Sequence, residues 1–326
     1  MDRPIVLADL AVDMVLGAWF PHGFCRLSFG SGDRLQHAVD LIDWGEIRGS
    51  WIVAGGPEWR RLRERCAASL DTDSLMRFVP YRLIRPFFEA ETRGLPDHEV
   101  NYIVADLSEK LFQTHKPIYC FTDDRRGIIL QHDWVDYLAS NVAILRGWAR
   151  FHLARYLQSC NPSVPGIVEK LEPPMMRTSL ARQTHWWKEA LPRLPAPARC
   201  IFSGESLDPS AFSLDHYLPW SLVAHDRLWN LIPVSRSVNS AKSDRLPAPH
   251  YLEGLVRTQH AALTILREAW SNSRWNAAVE PWLVDLALSK DALLDRAKLG
   301  AAYESTITPL MLIGGRQGFV QGWEYA

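Results

Sequence analysis

An Asp-His pair, Asp215-His216, is followed fourteen residues after the histidine by Asn230, nine further on by Asn239 and three beyond that by Lys242. These residue types suit hydrolysis of a phosphodiester. A histidine can take a proton from water near neutral pH, while a cation neutralises the charge that builds on the phosphorus oxygens and on the departing 3′ oxygen. The carboxylate of Asp215 and the amide of Asn239 offer oxygen ligands. Hard, hydrated magnesium, or manganese in its place, keeps several waters and needs few such contacts. An Asp-His pair alone is an ordinary surface or capping feature; the downstream spacing singles this one out.

The elements that must position these residues are legible around them. Ala211–Leu218 reads as a strand ended by Pro219, which has no N–H to continue a ladder. Leu222–Trp229 reads as a loop or helical turn, Asn230–Val234 as a second strand, and Ser235–Asp244 as a short helix that Ser235 caps. The order is β, β, α. On the helix, Asn239 and Lys242 are three apart and share a face. Adjacent side chains of a strand point to opposite faces, so Asp215 and His216 serve one site only if the strand twists or terminates there.

This window resembles the HNH, or ββα-metal, nuclease family in its histidine–asparagine–asparagine form, and is especially similar to the HNH domain of RNA-guided CRISPR effectors. The shared pattern is the spaced set above, closed by Lys242-Ser243-Asp244 and Pro247. The resemblance implies His216 as general base, Asp215 and Asn239 as metal ligands, Asn230 as the residue that orients the histidine-bearing loop, and Lys242 as a phosphate contact. Many such proteins brace the motif with zinc-binding cysteines. Here Cys200-Ile201-Phe202-Ser203 keeps one cysteine of the first pair and none follows, so no structural zinc is expected and apolar packing must hold the motif. The chain's layout also resembles stand-alone bacterial HNH proteins of phage-defence or restriction systems, such as the nickase component of Zorya-type defence. That implies DNA as substrate and defence-system proteins as partners.

The rest of the chain sets the context. At 326 residues, 47% hydrophobic and 22% charged, it has the composition of a folded protein of about two domains. No apolar run reaches the ~18 residues of a membrane span. Asp2, Asp9 and Asp13 stand where a signal peptide wants a basic start, so a cytoplasmic protein away from membranes is expected. Five scattered cysteines without a C-x-x-C pair read as reduced thiols. Net charge is −1, yet Met175–His250 holds nine basic against six acidic residues, a local surplus suited to a polyanion. Arg177, Arg182, Gln183 and Trp186 are explained first by packing and solvation. Arg182 is nevertheless retained with Arg236, Lys242 and Arg245 as a nucleic-acid contact. His225 beside Asp226 reads as a loop hydrogen-bonding residue, and Asp123-Asp124 as a turn.

The expected fold class is α+β, a mainly helical protein with the small ββα motif embedded. Residues 1–190 read as a helical N-terminal domain with a hairpin at 118–131 whose turn is Thr122–Arg126, 195–250 as the HNH domain, and 251–326 as a helical C-terminal region. Helical periodicity covers Trp59–Leu70, Glu99–Phe112, Asp133–Ser159 as the spine of the N-terminal region, Thr178–Ala190, His250–Trp270, Trp275–Leu288 and Asp291–Glu304. Prolines in Leu191–Pro197 mark the clearest linker. The reading is a metal-dependent DNA endonuclease that cuts one strand per active site; its alternative is a catalytically silent nucleic-acid-binding or assembly protein that retains the scaffold.

Overall fold

A computed structural model describes residues 3–44, 56–174 and 178–326; Asp2 and Arg177, both singled out above, lie outside the described residues. Helix accounts for 61% of the structure, with sheets of only two and three strands, so the α+β, mainly helical class holds. The chain divides into two compact units, one formed by Met1–Pro162 with Leu171–Pro173 and the other by Ser163–Lys170 with Pro174–Ala326.

The first unit begins with β1 (Ile5–Val6) and α1 (Leu7–Ala18). It continues through α2 (Arg34–Leu41), α3 (Pro57–Ser69), α4 (Thr72–Met76), α5 (Val79–Ile84), α6 (Glu89–Thr92) and α7 (Asp97–Lys110). Leu7, Ala11, Val12, Val15 and Leu16 of α1 are buried, the three- and four-residue spacing of an inward helix face. β2 (Tyr119–Phe121) and β3 (Gly127–Leu130) form the anticipated hairpin. Its turn is held by Asp124, whose carboxylate accepts from the Thr122 hydroxyl and the Arg126 amide. β1 adds antiparallel to β3, with Ile5 opposite Ile128; two residues carry too little period-2 pattern to announce a strand.

Helix α8 (His132–Cys160) runs where expected, but it is not a buried spine. Only Leu157 along it is buried. The helix is tied at its ends: the Trp134 indole donates to Lys116 O at 2.8 Å, and the Tyr156 hydroxyl donates to Phe29 O. At its stop, the Asn161 amide pairs with both backbone groups of Ser28. Apolar periodicity marks a helix, not what covers it.

The second unit contains α9 (Ala181–Ala190), β4 (Ser213–His216), α10 (Trp220–Val223), β5 (Leu231–Val234) and α11 (Arg236–Lys242). It closes with α12 (Tyr251–Ala269), α13 (Asn272–Asp285), α14 (Lys290–Leu293) and α15 (Arg296–Arg316). The divisions read at 190–195 and at 250 do not separate compact bodies here. Leu191, inside the supposed linker, is buried, and one core joins Trp187, Tyr217, Leu222, Trp229, Val238, Leu263, Trp282 and Tyr303. The prolines shape a short 3-10 turn at Leu191–Arg193 rather than a free linker. Pro247-Ala248 is likewise tied down: Ala248 N donates to Trp323 O, and Trp323 N to Leu246 O. Helix α15 presses close to the motif at Gly314, where a Cβ would meet Leu222 at 2.9 Å and Leu246 at 3.0 Å.

Candidate active site

β4 and β5 pair antiparallel, Asp215 opposite Ile232 and His216 opposite Leu231. The ladder runs one pair beyond the strands, since Tyr217 N donates to Asn230 O at 2.8 Å. β4 is shorter than Ala211–Leu218: a turn closed by Ala211 N on Asp208 O occupies its start, and Pro219 turns the chain into α10 after its end. Ser235 caps α11, its hydroxyl accepting from Val238 N. The β-β-α order is thus present, with a 3-10 turn at Leu228–Asn230 between the strands.

Asp215 and His216 do part to opposite sides, as pleating requires. His216 Nε2 lies 2.8 Å from Asp226 Oδ1. A carboxylate only accepts, so Nε2 carries the proton of this contact, and in the neutral imidazole Nδ1 is then the nitrogen with the lone pair. Among the described residues nothing hydrogen-bonds Nδ1. Asp226 is fixed in turn, its carbonyl accepting from Gln183 Nε2 of α9 at 3.0 Å. His225 is a neighbour of a different kind. Burial pushes its imidazole down to about 4, its Nδ1 accepts from Arg227 N, and its ring leans on Trp229.

Asp215 points the other way and is buried, 3% exposed. Lys242 Nζ stands 3.0 Å from its Oδ2, an ion pair without hydrogen-bond alignment, since Oδ2 accepts no hydrogen bond. Nζ donates instead to His216 O at 2.6 Å. Burial pushes the Asp215 carboxyl above the usual range, and the Lys242 ammonium pulls it back. One turn earlier on α11, Asn239 Nδ2 donates weakly to Leu214 O at 3.4 Å. Because Asp215 and Tyr217 face β5, the carbonyls of Leu214 and His216 belong to the unpaired edge of β4. Asn239 and Lys242 cover that edge. Lys242 is fully buried, so the expectation that it reaches a phosphate is not met in this geometry: its charge is committed to Asp215 and to a backbone carbonyl.

Asn230 is wholly buried and closes on one residue of the turn after β4. Its Oδ1 accepts from Leu218 N at 2.8 Å, and its Nδ2 donates to Leu218 O at 2.9 Å. The clamp sits two residues from His216. Residues 200–248 match the model of the HNH endonuclease family. The segment is similar to an HNH endonuclease domain. Comparison of the chain with curated proteins and with solved structures gives no match.

The HNH domain leans on helices outside the matched segment. Gln259 of α12 is buried and donates to Leu228 O at 3.1 Å and Leu231 O at 3.0 Å. Tyr303 of α15 donates to Trp229 O at 2.9 Å, and the Trp229 indole donates to Asp285 of α13 at 2.7 Å. Three helices therefore hold the turn that carries Asn230. Where a zinc-bearing HNH domain would be cross-linked, Phe202 packs its ring against Tyr251 and Trp323, and Arg199 bridges to Ser206.

HNH nucleases in general depend on a divalent metal, and the domain implies a nucleic-acid substrate. Among the described residues no group of three or more His, Cys, Asp and Glu converges. Asp215 and Asn239 offer the oxygen ligands that a hydrated ion takes, but in this geometry the Asp215 carboxylate is buried on Lys242, away from the side that His216 faces, so the requirement that the pair share one site is not met here. Arg182, Arg236 and Arg245 are exposed, and Arg182 lines a cavity of about 530 Å³ that also reaches Asp226, Arg227, Trp270 and Arg274. Among the described residues no helix is long and apolar enough to cross a membrane. Sequence reasoning missed Asp226 as the partner of His216. Its signal was a carboxylate in the loop between the strands, ten residues after the histidine. Gln259 and Tyr303 had none.

Proposed function

We propose that the protein is a metal-dependent DNA endonuclease whose HNH site cuts one strand per encounter. The observation that carries this reading is the His216–Asp226 pair, 2.8 Å apart, at the end of the first strand of an HNH domain. With Nε2 protonated toward Asp226, Nδ1 takes the proton from the attacking water, and the carboxylate steadies the imidazolium that results. Asp215 and Asn239 would hold magnesium, which supplies charge neutralisation at the phosphate, and this requires Asp215 to leave Lys242 and turn toward the side of His216 when metal and substrate bind. Asn230 keeps the turn after His216 in place through Leu218. Arg182, Arg236 and Arg245 offer exposed guanidiniums for phosphates. The layout's resemblance to phage-defence and restriction proteins supports a role in such a system.

One observation favours the alternative of a silent scaffold, namely that the Asp215 carboxylate is already neutralised by the buried Lys242 ammonium. Supercoiled plasmid separates the two. Nicked circles that form with magnesium, vanish with EDTA and are resealed by DNA ligase, which needs 5′-phosphate and 3′-hydroxyl ends, support the nuclease. Plasmid left intact under every divalent metal supports the scaffold.

A further inference from the structure

Helix α8 carries more apolar surface than its own ends require. Ile144 is 71% exposed, Trp148 64%, Phe151 58% and Tyr137 51%. At about 100° per residue, these four fall within a stripe about 60° wide. Their spacing of seven, four and three residues is that of a heptad seam. Scattered apolar residues on a surface need no explanation, but a continuous stripe marks a contact.

The stripe is a palindrome about Ile144. Tyr137 and Phe151 lie seven residues to either side, Ser140 and Trp148 four, Asp133 and Arg155 eleven. Two such helices, antiparallel about a two-fold axis at Ile144, set tyrosine on phenylalanine, tryptophan on a small serine, and carboxylate on guanidinium at both ends. A parallel pair would set Asp133 on Asp133 and Arg155 on Arg155. Like charges at both ends oppose that arrangement. Asp133 keeps 59% of its side chain exposed despite its ion pair with Lys116.

We propose that this face of α8 binds a second copy of the chain, antiparallel and in the register that places Ile144 on Ile144. Such an interface is self-complementary and closes at two copies. The four apolar side chains offer on the order of 450 Å² per copy at about 150–250 Å² for each aromatic body. The pair thus buries roughly 900 Å² before Asp133, Ser140 and Arg155 are added, close to the ~1,200 Å² lower range of specific interfaces. The inference uses no catalytic residue and stands apart from the nuclease reading.

Sedimentation of the full chain from low to high micromolar concentration tests it, with a species of twice 37.1 kDa expected. In a Cys160→Ser background, Ile144→Cys then couples to itself under mild oxidation. Tyr137→Cys couples only when mixed with Phe151→Cys, and Arg146→Cys, on the far side of the helix, does not couple. A monomer throughout that range overturns the proposal. So does a dimer in which Tyr137→Cys joins itself or Ile144→Cys fails to join.

Discussion

Two buried or half-buried carboxylates divide the work around the Asp-His pair. Asp226 faces His216, and Asp215 faces Lys242. If Asp226 fixes the tautomer, Asp226→Asn presents a neutral amide to Nε2, and the imidazole loses both orientation and charge compensation. Single-turnover cleavage should slow at least about tenfold with substrate affinity unchanged. Lys242 calls for a different readout. Removing one partner of a buried pair leaves the other charge uncompensated, a loss of about 3–5 kcal/mol. Lys242→Ala should therefore show in denaturant unfolding. A variant with wild-type stability but weakened DNA binding would return Lys242 to the phosphate. Asp215, His216, Asn230 and Asn239 were legible as candidates because their spacing resembles that of a known motif. The pairing of His216 with Asp226 was not, because the position of a carboxylate in the loop between the strands leaves open which way its side chain turns.

The hairpin and α11 were readable as elements, since Pro219 and Ser235 act through local backbone chemistry that sequence states directly. Their ends shifted by a few residues where the chain turns early into α10. What could not be read is the support from α12, α13 and α15. Gln259, Asp285 and Tyr303 reach the Leu228–Asn230 turn from 31 to 74 residues away, and nothing in their local sequence points there. Gln259→Ala would leave the carbonyls of Leu228 and Leu231 buried without this donor, a cost of about 1–3 kcal/mol. Because the turn carries the Asn230 clamp, the variant should lose activity at temperatures below its unfolding midpoint. Activity that tracks the folded fraction alone would contradict that link. Helix α8 makes the complementary point: its periodicity predicted the helix, and its exposed stripe reflects contacts that periodicity does not specify.

At the scale of the molecule, the HNH segment belongs to a unit whose core extends through the C-terminal helices. A fragment of residues 195–250 lacks Leu263, Trp282 and Tyr303 from that core and should show no cooperative unfolding, whereas residues 163–326 should melt as one transition. Cooperative folding of the short fragment would restore the three-part division suggested by the prolines. If the HNH segment is the chain's one active site, as proposed, the expected product is a nick, and a dimer through α8 would supply two sites. The claim on which the account rests is that His216 activates water in a metal-dependent cleavage. It is tested most directly by the rate at which saturating protein converts supercoiled plasmid to nicked circles with magnesium, for wild type and His216→Ala. Loss of about 10²–10⁴-fold in the variant, with EDTA silencing both, is the predicted result. Equal rates for the two proteins, or cutting that persists in EDTA, would contradict it.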